Sequence, residues 1–95
     1  MLRLNSSPVV ALNHAAAVAM SDGVERGLEL VEQLGKSGTL NNYYLFHAAH
    51  ADLLRRLDRL AEAEQAYQRA LHLATNRVEQ QYVARRLEEC RTRDH

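Results

Sequence analysis

The chain has 95 residues, of which 46% are hydrophobic, and its only aromatic residues are four tyrosines and one phenylalanine. A chain of this length forms one small domain with a thin core, because folding hides only about 60% of the unfolded surface. Twelve basic and twelve acidic residues cancel, which argues against nucleic-acid binding, since phosphate neutralisation requires a net basic surface. We therefore expect a single domain over residues 1–95 that does not bind nucleic acid directly.

The chain contains no segment that could cross a membrane. Its longest mostly apolar run, residues 9–20, is interrupted by Asn13 and His14, and it is too short to span a bilayer. The same run resembles the core of a signal peptide only weakly, and a helix that starts at Pro8 explains it better. The single cysteine, Cys90, cannot form an intrachain disulfide and fits a reducing compartment. We expect a cytoplasmic protein with no membrane contact.

Two helices are predicted in the first part of the chain, after a tail of residues 1–6 that has no periodic pattern. Ser7 followed by Pro8 is a favourable helix start, so the first helix should cover about residues 8–20. The second should cover about residues 24–34 and end at Gly35. Several alanines in the first helix leave little side-chain bulk, so a neighbouring helix can approach closely.

Residues 44–77 then show the period of about 34 residues that is typical of a tetratricopeptide repeat. Large apolar residues recur at helical spacing, and small residues occur where two helices would come close. We predict a third helix from residue 43 to about 57, with Asn41 or Asn42 as its N-cap, and a fourth over residues 60–74. Asp58 occupies the turn position where glycine is usual. The small and large residues that match the repeat pattern are Ala51, Leu54, Ala63, Tyr67 and Ala70.

A fifth helix is predicted over residues 77–92, with Asn76 and Glu79 as a capping-box variant. Its apolar positions lie on one face, which suits a helix that closes the end of a stack. A shift of 36 positions also aligns Ala15 with Ala51 and Asp22 with Asp58, so the first two helices look like a degenerate repeat. The predicted fold is all-α with five antiparallel helices. It comprises a degenerate repeat at 8–35, a second tetratricopeptide-like hairpin at 42–75 and a capping helix at 77–92.

No pattern of catalytic residues stands out. His47 and His50 lie one helical turn apart and could supply two ligands of one metal ion. No third ligand follows at a motif spacing, and both positions normally pack between helices in this type of repeat. The four serines are explained as caps or loop residues, and glycine-rich phosphate loops are absent. We expect no enzyme activity, no metal and no cofactor.

The candidate binding residues lie on the concave face that the first helix of each pair would form. They are Asn13 on the first helix and Asp52, Arg55 and Arg56 on the third. Two interpretations are open for the charged residues. Asp52 can pair with an arginine on its own helix, or the guanidinium groups can hold a carboxylate or backbone carbonyl of a partner.

Two groups of residues together form a pattern that generic tetratricopeptide repeats lack. The first group is Ser7-Pro8-Val9-Val10, Leu12-Asn13, Ala15, Ala17, Val18, Ala19, Gly23 and Gly27-Leu28. The second group is Tyr43, His47-Ala48, Ala51-Asp52-Leu53-Leu54-Arg55-Arg56-Leu57, Arg59, Glu62-Ala63, Ala66-Tyr67, Ala70-Leu71, Asn76, Glu79 and Arg86-Leu87. In these residues the chain resembles the C-terminal extension found in a group of extracytoplasmic-function RNA polymerase sigma factors. Departures from the pattern occur at His14, Val24, His50 and Asp58.

This resemblance implies a piece of a bacterial transcription factor, either excised or present as a short stand-alone relative, because the promoter-recognition and polymerase-binding domains are not among these residues. It implies an extension that modulates transcription initiation through protein contacts with its own sigma domains or with RNA polymerase. The alternative is a stand-alone adaptor that binds a peptide or forms a homodimer. A third possibility is a small-molecule sensor with a pocket lined by His14, His47 and His50.

Overall fold

The computed structural model describes residues 8–36, 38 and 40–94, and this part of the chain contains five α-helices and no β-strand. The predicted tail of residues 1–6 lies outside the described residues. The all-α fold with five helices is confirmed. The helices are α1 (Pro8–Ser21), α2 (Val24–Lys36), α3 (Tyr44–Arg56), α4 (Leu60–Leu73) and α5 (Arg77–Asp94).

The helices stack in chain order, with each packed mainly against the one before it and the one after it. Short turns connect α1 to α2 and α3 to α4, so each of these pairs forms an antiparallel hairpin. One continuous core runs through the stack and has Tyr67 at 0% exposure near its centre. The other large side chains that are almost completely buried are Val31, Leu54, Val83 and Cys90.

The α1–α2 hairpin depends on a close approach of the two backbones at Gly27. A Cβ atom at residue 27 would lie 2.4 Å from the Cβ of Ala19 and 2.9 Å from the carbonyl oxygen of Ala15. Both distances are below van der Waals contact, so only glycine fits without movement of α1. The alanines of α1 therefore allow the close packing that their small size predicts.

The turn between α3 and α4 has left-handed backbone at Asp58, with φ of 64°. Glycine is favoured in this conformation, but aspartate tolerates it better than most residues. The Asp58 carboxylate also accepts a hydrogen bond from Arg93 of α5 at 2.9 Å. The departure from glycine thus leaves the turn intact and adds a contact to the last helix.

The helix ends differ from the sequence predictions in two places. The prediction of Asn41 or Asn42 as the cap of α3 is wrong, because Tyr43 occupies the N-cap position and makes no side-chain capping bond. The helix α2 also continues through Gly35 to Lys36. The cap of α5 is confirmed, since the Asn76 side chain accepts a hydrogen bond from the Glu79 amide at 2.8 Å.

We expect Gly27→Ala to lower the free energy of unfolding by about 1 to 2 kcal/mol, because overpacking between α1 and α2 outweighs the better helix propensity of alanine. Urea unfolding followed by circular dichroism measures this loss. Gly35→Ala is the matched control. Its added Cβ would meet mainly the tip of the Phe46 ring, at 2.8 Å, which can move more easily than a backbone. If Gly27→Ala were as stable as the wild-type chain or more stable, the close contact between α1 and α2 would be wrong.

Candidate functional site

Three helices meet at the carboxylate of Asp52. Asp52 and Arg55 lie one turn apart on α3, Tyr67 lies on α4, and Tyr82 lies on α5. The hydroxyls of Tyr67 and Tyr82 both donate to the carboxylate, the latter at 2.9 Å to Oδ2. Arg55 donates from Nε to the Tyr67 hydroxyl oxygen at 3.1 Å. These four residues form what we call the Asp52 cluster.

The Asp52 cluster satisfies a polar group that would otherwise be buried without a partner. Tyr67 is fully buried, and a buried hydroxyl needs a hydrogen-bond acceptor. Burial, and then the hydrogen bond to Asp52, raise the pKa of Tyr67, and the same two causes raise the pKa of Tyr82. Both phenols are protonated donors at neutral pH, and the raised pKa keeps them protonated further into the alkaline range. The cluster joins α3, α4 and α5.

A second layer supports Tyr82 from its outer side. The guanidinium carbon of Arg86 lies 5.3 Å from the centre of the Tyr82 ring, within the range of a cation–π contact. Arg86 also donates to Glu89 at 3.0 Å. These contacts on α5 keep the Tyr82 hydroxyl directed towards Asp52.

The predicted binding residues fall into two groups. Asp52 and Arg55 are half-buried and engaged within the domain, and their own ion pair is long, at 3.9 Å. Arg56 is exposed, and it has no ion pair or hydrogen bond within residues 8–36, 38 and 40–94. Asn13 is also exposed. The structure thus favours the interpretation in which Asp52 has an internal role, with the two tyrosines rather than an arginine as its main partners.

A groove of about 130 Å³ lies between the first helices of the two hairpins. Most of its lining is apolar, with Asp52 and Arg56 as its charged members, and Met20 at its edge is 82% exposed. Arg55 and Asn13 do not line it. We call this the concave groove, and its residues are Leu12, Ala16, Ala19, Met20, Val31, Ala49, Asp52, Leu53 and Arg56.

Asp52 and Arg56, which the sequence predicts on the concave face, both line the groove. His14, one of the three histidines of the possible sensor pocket, is exposed. The sequence does not predict the role of Tyr82 as a donor to Asp52. No local signal marks that contact, because the two residues are far apart in sequence.

A second groove of about 310 Å³ contains two of the histidines proposed for a sensor pocket, His47 and His50, but His14 does not line it. The Nε2–H of His47 donates to the carbonyl oxygen of Asn41 at 2.7 Å. His50 Nε2 lies 3.3 Å from a carboxylate oxygen of Glu32. Among the described residues no group of three or more metal-ligating side chains comes together.

Two findings bear on the class of protein. Within the described ranges no helix is both long enough and apolar enough to span a bilayer. The helices form a sequential stack of hairpins, an arrangement that is typical of helical repeat domains.

A comparison with curated proteins finds a relative in a bacterium. The chain is 43% identical over 86 residues to an uncharacterized protein of Rhizobium meliloti (strain 1021). This match covers 90% of the chain but only 20% of the relative, so the chain spans about a fifth of the relative's length. No protein-family model matches the chain, and no solved structure matches it.

We expect Asp52→Ala to lower the free energy of unfolding by about 1 to 3 kcal/mol, because the buried Tyr67 hydroxyl would lose its acceptor. Arg56→Ala, four residues further along α3, should change stability by no more than about 0.5 kcal/mol. Urea unfolding of both variants beside the wild type measures the contrast. If the two variants were equally stable, the structural role of Asp52 would be wrong.

We also expect stability to fall as the pH rises through the alkaline range. Tyrosine in the unfolded chain ionises near pH 10, whereas the raised pKa of Tyr67 and of Tyr82 keeps both protonated to higher pH in the folded state. Their contribution is therefore complete below about pH 10 and is lost as the pH rises towards the folded pKa values. Urea unfolding between about pH 9 and pH 11 should show this decline, with a shallower slope in Tyr67→Phe. If Tyr67→Phe lost stability with rising pH as steeply as the wild type, the decline could not be attributed to the ionisation of Tyr67.

Proposed function

We propose that this chain is a non-catalytic protein-interaction domain that corresponds to the C-terminal extension of an extracytoplasmic-function sigma factor. In this proposal it acts in the bacterial cytoplasm and modulates transcription initiation through contacts with sigma domains or with RNA polymerase. The observation that carries the proposal is the concave groove, in which an apolar lining adjoins Arg56, an exposed cation without a partner in the described structure. The resemblance, which runs over nearly the whole chain, supports the choice of partner.

The composition of the groove suits protein recognition. Binding sites combine an apolar lining with a few placed polar groups, and arginine is enriched among the residues that contribute most to protein interfaces. Arg56 is exposed to a partner at one end of the groove, and Asn13 is exposed on α1. Asp52 lines the groove but is occupied by the two tyrosines, and Arg55 lies outside the groove. The bonds of Asp52 and Arg55 to Tyr67 hold α3 in place.

The length of the relative also supports the proposal. A match that covers 90% of the chain and 20% of the Rhizobium meliloti protein is what an interaction domain within a larger protein would give. The function of that protein is not characterized, so the transcriptional role comes from the resemblance alone.

The absence of catalysis is supported by the environment of the most reactive groups. Burial raises the pKa of the Cys90 thiol, which lies fully inside the core, and the thiol form is a poor nucleophile. His47 uses its Nε2 for the Asn41 carbonyl. Neither group is placed to act on a bound substrate.

A second candidate function, self-association as a stand-alone adaptor, has one observation in its favour. The helix α1 carries no charged residue, and its Val10 and Met20 side chains are 52% and 82% exposed. Surface helices usually carry charged residues on their outer face. This uncharged surface favours a homodimer as the alternative.

The test is to measure binding of the chain to purified core RNA polymerase and, separately, to the remaining domains of an extracytoplasmic-function sigma factor. We expect saturable binding to one of the two, weakened at least tenfold by Arg56→Glu. The matched control is Arg69→Glu on α4, which alters another exposed arginine without an ion pair in the described structure, and it should bind as the wild type does.

Failure to bind either protein would refute the transcriptional proposal. Sedimentation analysis of the same samples would then test the alternative. A dimer that Met20→Glu converts to a monomer would support self-association through α1. Equal loss of binding in the two arginine variants would refute the concave groove as the contact surface.

A further inference from the structure

We infer that the concave groove binds an acidic amphipathic peptide segment of a partner protein, with one medium-sized apolar side chain in the groove and a carboxylate on Arg56. This inference rests on the proposed function in that both use the same groove, but it specifies the chemistry of the occupant. It follows from the size, the charge and the length of the groove.

The size of the groove limits what enters it. Its volume is about 130 Å³, and an apolar protein cavity of about 150 Å³ holds a molecule as large as benzene. One leucine, isoleucine, methionine or phenylalanine side chain is therefore the natural apolar occupant. Met20 at the edge is exposed, and an unbranched methionine side chain can adapt its shape to such an occupant.

The charge of the groove favours an occupant that carries a carboxylate. Its one anion, Asp52, already accepts hydrogen bonds from Tyr67 and Tyr82 and has Arg55 at 3.9 Å. Its one cation, Arg56, is exposed and without an ion pair in the described structure. The groove thus offers a free guanidinium but no free carboxylate, and a planar guanidinium binds a carboxylate through two parallel hydrogen bonds.

The length of the groove sets the spacing between the two anchors. Along α3 it runs from Ala49 to Arg56, a distance of about 10 Å at 1.5 Å per residue. An apolar residue and an acidic residue one turn apart on a helix, or two residues apart on an extended segment, fall within this distance. The occupant is therefore a short linear segment rather than a large flat surface.

The test is selection of a random peptide library displayed on phage against the immobilised 95-residue chain, followed by affinity measurements on synthesised consensus peptides. We expect a consensus with one apolar residue and an aspartate or glutamate within four positions of it. Its dissociation constant should rise at least tenfold with Arg56→Gln and stay unchanged with Arg69→Gln. Selection against Arg56→Glu should replace the acidic residue with lysine or arginine.

Several outcomes would overturn the inference. A neutral or basic consensus, a consensus that Arg56→Glu leaves unchanged, or no enriched peptide would exclude an acidic segment as the occupant. A consensus that matches a segment of this chain would assign the groove to a second copy. If the acidic consensus appears but neither polymerase nor sigma domains bind, the inference stands and the proposed transcriptional function fails.

Discussion

The structure depends on one carboxylate that three helices share. Asp52 of α3 accepts hydrogen bonds from Tyr67 of α4 and from Tyr82 of α5, and the Tyr67 side chain is fully buried. In a small domain with a thin core, apolar burial alone gives little specificity for how the last helix is placed. The Tyr82 hydroxyl, which donates to Asp52, ties α5 to α3 and adds that specificity, while the buried Tyr67 hydroxyl ties α4 to the same carboxylate.

On α3, one arginine supports the fold through this interaction, and its neighbour in sequence is available to bind a partner. Arg55 and Arg56 are neighbours in sequence, but successive residues on a helix point about 100° apart. Arg55 accordingly reaches the Tyr67 hydroxyl, whereas Arg56 projects beside the concave groove. Two identical side chains thus have different uses, and a double substitution of both would mix a loss of stability with a loss of binding.

The sequence predicts the fold well because helical periodicity and repeat spacing are local properties. All five helices were predicted within about two residues at their ends, and the buried positions Ala51, Leu54 and Tyr67 follow directly from the spacing. The prediction for the cap of α3 is wrong because both asparagines lie in a turn before the helix, which the Tyr43 amide closes on the Leu40 carbonyl, so Tyr43 occupies the N-cap position. The site is less predictable, since the partners of Asp52 come from two other helices and only the three-dimensional packing brings them together.

The central claim is that a protein partner binds the concave groove rather than the outer side of the stack. Hydrogen–deuterium exchange of the chain, alone and with a saturating amount of its partner, tests this most directly. We predict slower exchange in residues 12–20 and 49–56, which line the groove, and no change in residues 65–73 of α4, which border the grooves on another face. Protection of α4 with unchanged exchange in α1 and α3 would contradict the assignment of the binding surface.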